Sequence, residues 1–400
     1  MVALSFALLI GVAVLTCLFM AWSLGANSNS PPFAPAVGAN AIPTMRAAFL
    51  IGVFAALGAV AQGGSISETV GTHLIDGVRI TPLAAIAGLL TAATFMALGV
   101  YSGYPIPAAF ATTGAMVGAG LSLGGDPAFD TYRRLGTFWL AVPFMSGGIA
   151  YLTATLLRRE DVPEAVGVPL LAAVVAGILA NVRLGVVPGP DGQGSVTRYL
   201  SRLVGAPASG GVDLVAALVT FGVAVAAFVL LRRRMRRSVD AGIRSFLVVL
   251  GSIVAFSSGG SQVGLATGPL ETLFRVELGL PGITLLVLGS TGILAGAWMG
   301  APRLLQATSR EYAQLGVRRS IAALVPGFII AQVAIALGIP ISFNNVIISG
   351  VIGGGLAAGT AGVSRRKIGI TVAFWLFTLV SSVLVSYGLY RALTTLIGIP

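Results

Sequence analysis

The chain has 400 residues, 56% of them hydrophobic and 9% charged, with a mean hydropathy of +0.95. Soluble domains carry about 25% charged residues. Twenty-four basic and thirteen acidic side chains cannot coat a water-soluble body of this size, which excludes a soluble enzyme. A single cysteine, Cys17, excludes a disulfide framework, and a single histidine, His73, leaves too few ligands for zinc or di-iron chemistry, so no metal and no cofactor are expected.

Apolar stretches of spanning length fall in chain order at 2–22, 47–64, 82–100, 108–123, 137–157, 168–187, 212–231, 245–257, 283–300, 321–338, 341–358 and 369–389. They predict an all-α polytopic membrane protein with about 12 transmembrane segments, the eighth and eleventh short. The first stretch lacks a basic leader and has too long an apolar core for a signal peptide, so a retained helix is expected. His73, in a polar loop with Asp76, reads as a surface residue.

The net charge of +11 comes from 23 arginines and Lys367. These sit in short runs between apolar stretches, which fits membrane-flanking loops and not a nucleic-acid surface. The longest run, Arg232-Arg233-Arg234-Met235-Arg236-Arg237, lies in the basic loop 231–244 and is expected in the cytoplasm. Twelve spans then put both termini outside and divide the cations sixteen inside to eight outside, as in a multi-pass plasma-membrane protein. The longest outer loop, 188–211, is rich in Gly and Pro and holds a short amphipathic piece, Val196 to Val204.

Two kinds of segment occur twice. Small polar residues end an apolar stretch at Ser23–Pro32 and again at Ser257–Gly264. Gly103-Tyr104-Pro105-Ile106-Pro107 is matched by Gly338-Ile339-Pro340-Ile341-Ser342. Gly25 precedes Gly103 by 78 residues, and Gly259 precedes Gly338 by 79. A duplication follows, with repeats at 1–158 and 241–400 and linking spans at 159–240. Seven spans precede the second copy, so the repeats are expected to have inverted topology, with broken or re-entrant helices meeting near the midplane.

The residues at these breaks are Asn27, Ser28, Asn29 and Ser30 in one copy and Ser257, Ser258, Ser261 and Gln262 in the other. The second pair of breaks adds Thr112, Thr113, Ser342, Asn344 and Asn345. Pro31 and Pro32 suit the first turn of a restarting helix, where a missing N–H costs nothing. All the side chains are neutral. Hydroxyl and amide donors beside helix N-termini can cradle an oxyanion without burying an arginine. The acidic residues nearest the breaks, Glu68 and Glu271, are candidates for a coupling proton or sodium ion.

These residues carry a resemblance. Gly25-Ala26-Asn27-Ser28-Asn29-Ser30 resembles the signature Gly-Ala-Asn-Asp-Val-Ala-Asn of the PiT (inorganic phosphate transporter) family. Ala255-Phe256-Ser257-Ser258-Gly259-Gly260-Ser261-Gln262 is similar to its second copy, and Pro105–Phe110 and Pro340–Asn345 echo its Pro-Val-Ser-Thr-Thr-His motif. The resemblance implies a homodimeric, all-helical transporter that moves phosphate with sodium ions or protons. The family's aspartate is Ser28 in one copy and Gln262 in the other, and its histidines are Ser258, Phe110 and Asn345. Sulfate permeases of the same superfamily also lack these acids.

The expected function is secondary transport of an inorganic oxyanion by alternating access, phosphate first and sulfate as the alternative. A passive anion channel or a non-transporting receptor is the rival class. No long polar stripe supports a pore, and no nucleophile–base pair supports an enzyme.

Overall fold

A computed structural model of the chain describes residues 2–103, 105–159, 163–189, 192–205, 213–311, 315–357, 359 and 365–397. Tyr104 of the first Gly-Tyr-Pro motif and residues 190–191 and 206–211 of the 188–211 segment lie outside the described residues.

Each of the twelve apolar stretches coincides with a helix, although the sixth, expected over 168–187, ends at Ala180. In order the helices are α1 (Val2–Asn27), α2 (Ala34–Gly38), α3 (Thr44–Gln62), α4 (Gly64–Thr72), α5 (Pro82–Ser102), α6 (Ala108–Ser122), α7 (Phe129–Leu156) and α8 (Glu164–Ala180). There follow α9 (Val196–Val204), α10 (Leu214–Arg237), α11 (Val239–Thr267), α12 (Gly282–Met299), α13 (Ala301–Glu311), α14 (Val317–Ala336), α15 (Phe343–Leu356) and α16 (Arg365–Ile397). One two-stranded antiparallel pair, Ile75–Asp76 with Asp126–Pro127, ties the link after α4 to the link after α6.

Among the described residues, nine helices are long and apolar enough to cross a membrane. α6, α8 and α15 are apolar but have 15, 17 and 14 residues. At 1.5 Å per residue they reach about 21–26 Å, short of a hydrocarbon core of about 30 Å. α7, α10 and α16 turn large apolar side chains outward, among them Leu140, Phe144, Leu218, Phe221, Phe377 and Leu384. Rows of such residues on the outside of a helical body face lipid.

Helices before α8 and helices after α10 pack on one another in matching pairs. α1 packs on α12, and α11 packs on α3; α1 packs on α5 as α11 does on α14; α6 packs on α16 as α15 does on α7. The match holds atom by atom. A Cβ placed on Gly25 would fall 2.1 Å from the Ile293 carbonyl oxygen, and one on Gly259 would fall 1.8 Å from that of Ala55. Likewise Gly58 abuts the Phe256 carbonyl at 1.8 Å and Gly296 that of Trp22 at 1.9 Å. Without a hydrophobic drive between helices in lipid, close backbone approach through small residues is what holds them together.

The breaks divide into two kinds. Gly103 (φ 73°) and Gly338 (φ 64°) adopt the left-handed conformation and end α5 and α14. The prolines that follow hold an extended link, and α6 and α15 start immediately after it, as expected. α1 stops at Asn27, and Pro31 opens a 3-10 turn, Pro31–Phe33, that leads into α2. The second polar patch is different. α11 runs unbroken through Ser257–Gly264 to Thr267, which corrects both the expected break there and the short eighth span. No proline occurs before Pro269, where a 3-10 turn, Gly268–Leu270, ends the helix. The glycines of the patch are held against α3 and α4 and release no backbone.

The arginines tie helix ends together. Arg244 donates to the Asn40 carbonyl at 2.7 Å, Arg158 bonds the Ala357 carbonyl and Arg318 pairs with Glu164, all at one end of the bundle. Arg134 on the Leu337 carbonyl and Tyr132 on the Leu74 carbonyl (2.6 Å) mark the opposite end.

Candidate functional site

Asn27, Ser28, Asn29 and Ser30 are fully buried where α1 ends. The main-chain amides of Ser28 and Asn29 both donate to Leu24 O, at 2.9 and 3.1 Å, and the Ser30 hydroxyl donates back to Ala26 O at 2.8 Å. No side chain caps the turn that follows, and its two prolines bring no N–H. The Phe33 amide goes to Ser30 O at 3.3 Å, so the N–H cradle expected at this restart is not formed, whereas the first turn of α15 has no side-chain cap on its amides. The groups left for a ligand here are side chains.

Those side chains meet the other break. Asn27 Nδ2 donates to Met96 O at 3.0 Å, while its Oδ1 accepts from Asn344 Nδ2 at 2.8 Å. Asn344 Nδ2 also donates to Ile106 O at 2.6 Å. The Ser258 hydroxyl donates to Asn29 Oδ1, and Gln262 Nε2 donates to Ile341 O at 2.8 Å. Ile106 and Ile341 hold the same place in the two Pro-Ile links. Thus the end of α1, the middle of α11, both extended links and the start of α15 form one junction.

The junction is under-bonded. Among the described residues, fourteen buried side-chain polar atoms have no hydrogen-bond partner, and nine belong to the residues singled out from the sequence. They are the hydroxyls of Ser28, Thr112, Thr113, Ser261 and Ser342, the Asn29 Nδ2, and the carbonyl oxygens of Gln262, Asn344 and Asn345. Each such group costs about 1–3 kcal/mol. Seven of the nine belong to the α1 end, α11 and the α15 start, and they present donors and acceptors that no protein group takes up. Thr112 and Thr113 are buried on α6, but no hydrogen bond links them to the rest. Ser257 turns back to Ile253 O at 3.0 Å.

The two carboxylates stand apart from the junction. Glu68 is exposed on α4. Glu271 is half-buried, accepting from Arg275 at 2.9 Å on one oxygen and from the Ser67 hydroxyl at 2.6 Å on the other. That hydrogen bond and then the charge of Glu271 hold the Arg275 guanidinium above its ordinary range. Ser67 also lies 3.2 Å from the Thr267 hydroxyl, so the pair braces α4 against α11. His73 is exposed, as expected.

Two buried or half-buried amides escaped the sequence reading. Gln62 Nε2 donates to Gln332 Oε1 at 3.1 Å, and Gln332 Nε2 donates to Ser257 Oγ at 2.7 Å. A lone glutamine inside an apolar span is costly and is itself a signal of function. Their 270-residue separation hides the pairing.

A profile described as "Phosphate transporter family" matches residues 24–386. A Pyrococcus furiosus protein named "Putative phosphate permease" is 25% identical over 419 residues, covering 97% of each chain. An Arabidopsis thaliana protein, "Inorganic phosphate transporter 2-1, chloroplastic", is 24% identical and is matched over 90% of this chain and 68% of its own. A solved structure described as "The sodium-dependent phosphate transporter" superimposes with a TM-score of 0.82 at 21% identity, over 97% of this chain and 99% of that one, which establishes the shared fold. With the signature patches inside the matched region and the fold held in common, the chain belongs to the phosphate transporter family.

Proposed function

We propose that the protein is a secondary transporter that carries inorganic phosphate across a membrane by alternating access, binding it at the junction of α1, α11 and α15. The observation that carries this reading is the set of nine unpartnered buried polar atoms at or near that junction. It offers both kinds of group. Hydroxyls and Asn29 Nδ2 can donate to phosphate oxygens, while the oxygens of Gln262, Asn344 and Asn345 can accept from a protonated phosphate. Sulfate has no proton to donate, so open acceptors favour phosphate. The sulfate alternative gains no support from the relatives.

The repeats at 1–158 and 241–400 cross in opposite senses with 159–240 between them, which the exchanged packing of α1–α12 and α11–α3 supports. Glu271 is the better candidate for a coupling site, since Glu68 faces solvent. The coupling ion is a proton or sodium. The transporter works as a homodimer in the plasma membrane with both termini outside.

Uptake of labelled phosphate into proteoliposomes, with sulfate as competitor and imposed proton or sodium gradients, tests this reading. Saturable uptake that excess phosphate blocks and sulfate does not is expected. Flux that stays linear with concentration overturns it.

A further inference from the structure

A cavity of about 1300 Å³ lies between the α8–α10 pair and the rest of the bundle. Apolar residues of α8 and α10, such as Leu170, Val174 and Phe228, line its sides. Two arginines, Arg183 and Arg275, are balanced in its lining by Glu68 and Glu271, so the cavity does not gather anions by charge. Selection is left to uncharged groups.

Gln62 and Gln332, which also line the cavity, supply those groups. The two amides bond each other at 3.1 Å, and Gln332 reaches on to Ser257 at 2.7 Å. Ser257 is fully buried and adjoins Ser258, which bonds Asn29 of the junction. Gln62 presses on the same patch, since a Cβ on Gly260 would fall 2.6 Å from Gln62 Cβ. Neutral amides and a hydroxyl therefore lead from the cavity to Ser257 on α11, the residue before Ser258 of the junction, with the Ser257–Ser258 step made along the helix backbone and not by a side-chain bond. Gln62 Oε1 is buried with no partner, so a mere brace between α3 and α14 would leave an acceptor wasted.

We propose that the Gln62–Gln332 pair is the gate between this cavity and the phosphate site. The oxyanion enters through the cavity, the two amides part, and their N–H groups pass it to Ser257 and Ser258. This rests on the phosphate-carrier reading above.

Isosteric charge tests it. Gln62→Glu and Gln332→Glu keep the shape but put a negative charge on the path, and each is expected to raise the KM for phosphate uptake about tenfold or more at neutral pH. The excess over the parent at the same pH should shrink as the medium is acidified and the carboxylate is protonated. An unchanged KM in both variants overturns the gate alone, provided the parent accumulates phosphate; a parent that accumulates none overturns the transport reading instead. A second measurement covers variants that fail to fold. In a Cys17→Ala background, the thiol of Gln62→Cys should react with a membrane-impermeant anionic thiol reagent at a rate slowed by inorganic phosphate and not by chloride. An inert thiol, or a rate indifferent to phosphate, overturns the proposal.

Discussion

Asn344 Nδ2 donates to Asn27 Oδ1 at 2.8 Å, joining two side chains 317 residues apart in the chain. Each also bonds a main-chain carbonyl, Asn27 that of Met96 inside α5 and Asn344 that of Ile106 in the link before α6. The pair is the point where the ends of the interrupted helices are held to one another.

Removing this tie should stop transport without unfolding the chain. Asn27→Leu is expected to lower phosphate uptake at least about tenfold while expression and size-exclusion profile stay as in the parent, since the loss falls on a few polar groups in a large packed body. Ser261→Leu should do the same. Normal uptake by both variants would make the junction structural only.

Charge restored at the signature positions should bring in a cation. The double variant Ser28→Asp, Gln262→Asp places carboxylates at two buried points of the junction, where an unpaired charge is costly and a cation relieves it. Phosphate uptake in that variant should become sodium-dependent, or more so than in the parent. The measurement is uptake against external sodium at fixed pH, and an unchanged sodium response rejects the assignment of these positions.

Glu271→Gln separates coupling from carriage. If Glu271 handles the coupling ion, the variant should lose accumulation against a gradient while keeping phosphate–phosphate exchange across the liposome membrane. Retained gradient-driven accumulation would leave Glu271 with Ser67 and Arg275 as a brace between helices.

Glycine positions should divide sharply by what stands opposite them. Gly259→Val and Gly25→Val force atoms into a carbonyl that a bare Cβ would already meet at 1.8 or 2.1 Å, and overpacking of this kind costs about 1–3 kcal/mol or more. Both should fail to yield a monodisperse protein or should melt well below the parent. A methyl group added at Gly11 or Gly222 would meet nothing within 4 Å, so alanine there should leave the melting temperature within a degree or two, which a thermal shift assay reads directly.

The sequence carried most helices because the apolar stretches are long, and Gly103 and Gly338 announced their breaks through the prolines near them; it overran at 168–187, where α8 stops at Ala180. It misled at Ser257–Gly264, where a run of serine and glycine reads equally as a broken helix or as a helix pressed against another backbone. Only the partner decides, and here the partner is α3. Gln62 and Gln332 each gave a signal as one polar residue in an apolar span, but their pairing across 270 residues could not be read from either. The Ser30 side chain caps nothing, because the two residues after it are prolines without N–H and the Phe33 amide goes to the Ser30 carbonyl; its hydroxyl instead donates one turn back to Ala26 O.

The reciprocal clasp of Gly25 on Ile293 and Gly259 on Ala55 bears on how the polypeptide is assembled. Helices from early and late in the chain fill one another's grooves, α1 against α12 and α11 against α3. A ribosome that has released only the first 158 residues has made something that must wait in the bilayer, its glycine row open to acyl chains, until α11 and α12 arrive. The expected basic loop 231–244 is helical except at Ser238, where α10 meets α11, and a cut made there after synthesis should leave two pieces that still travel as one particle.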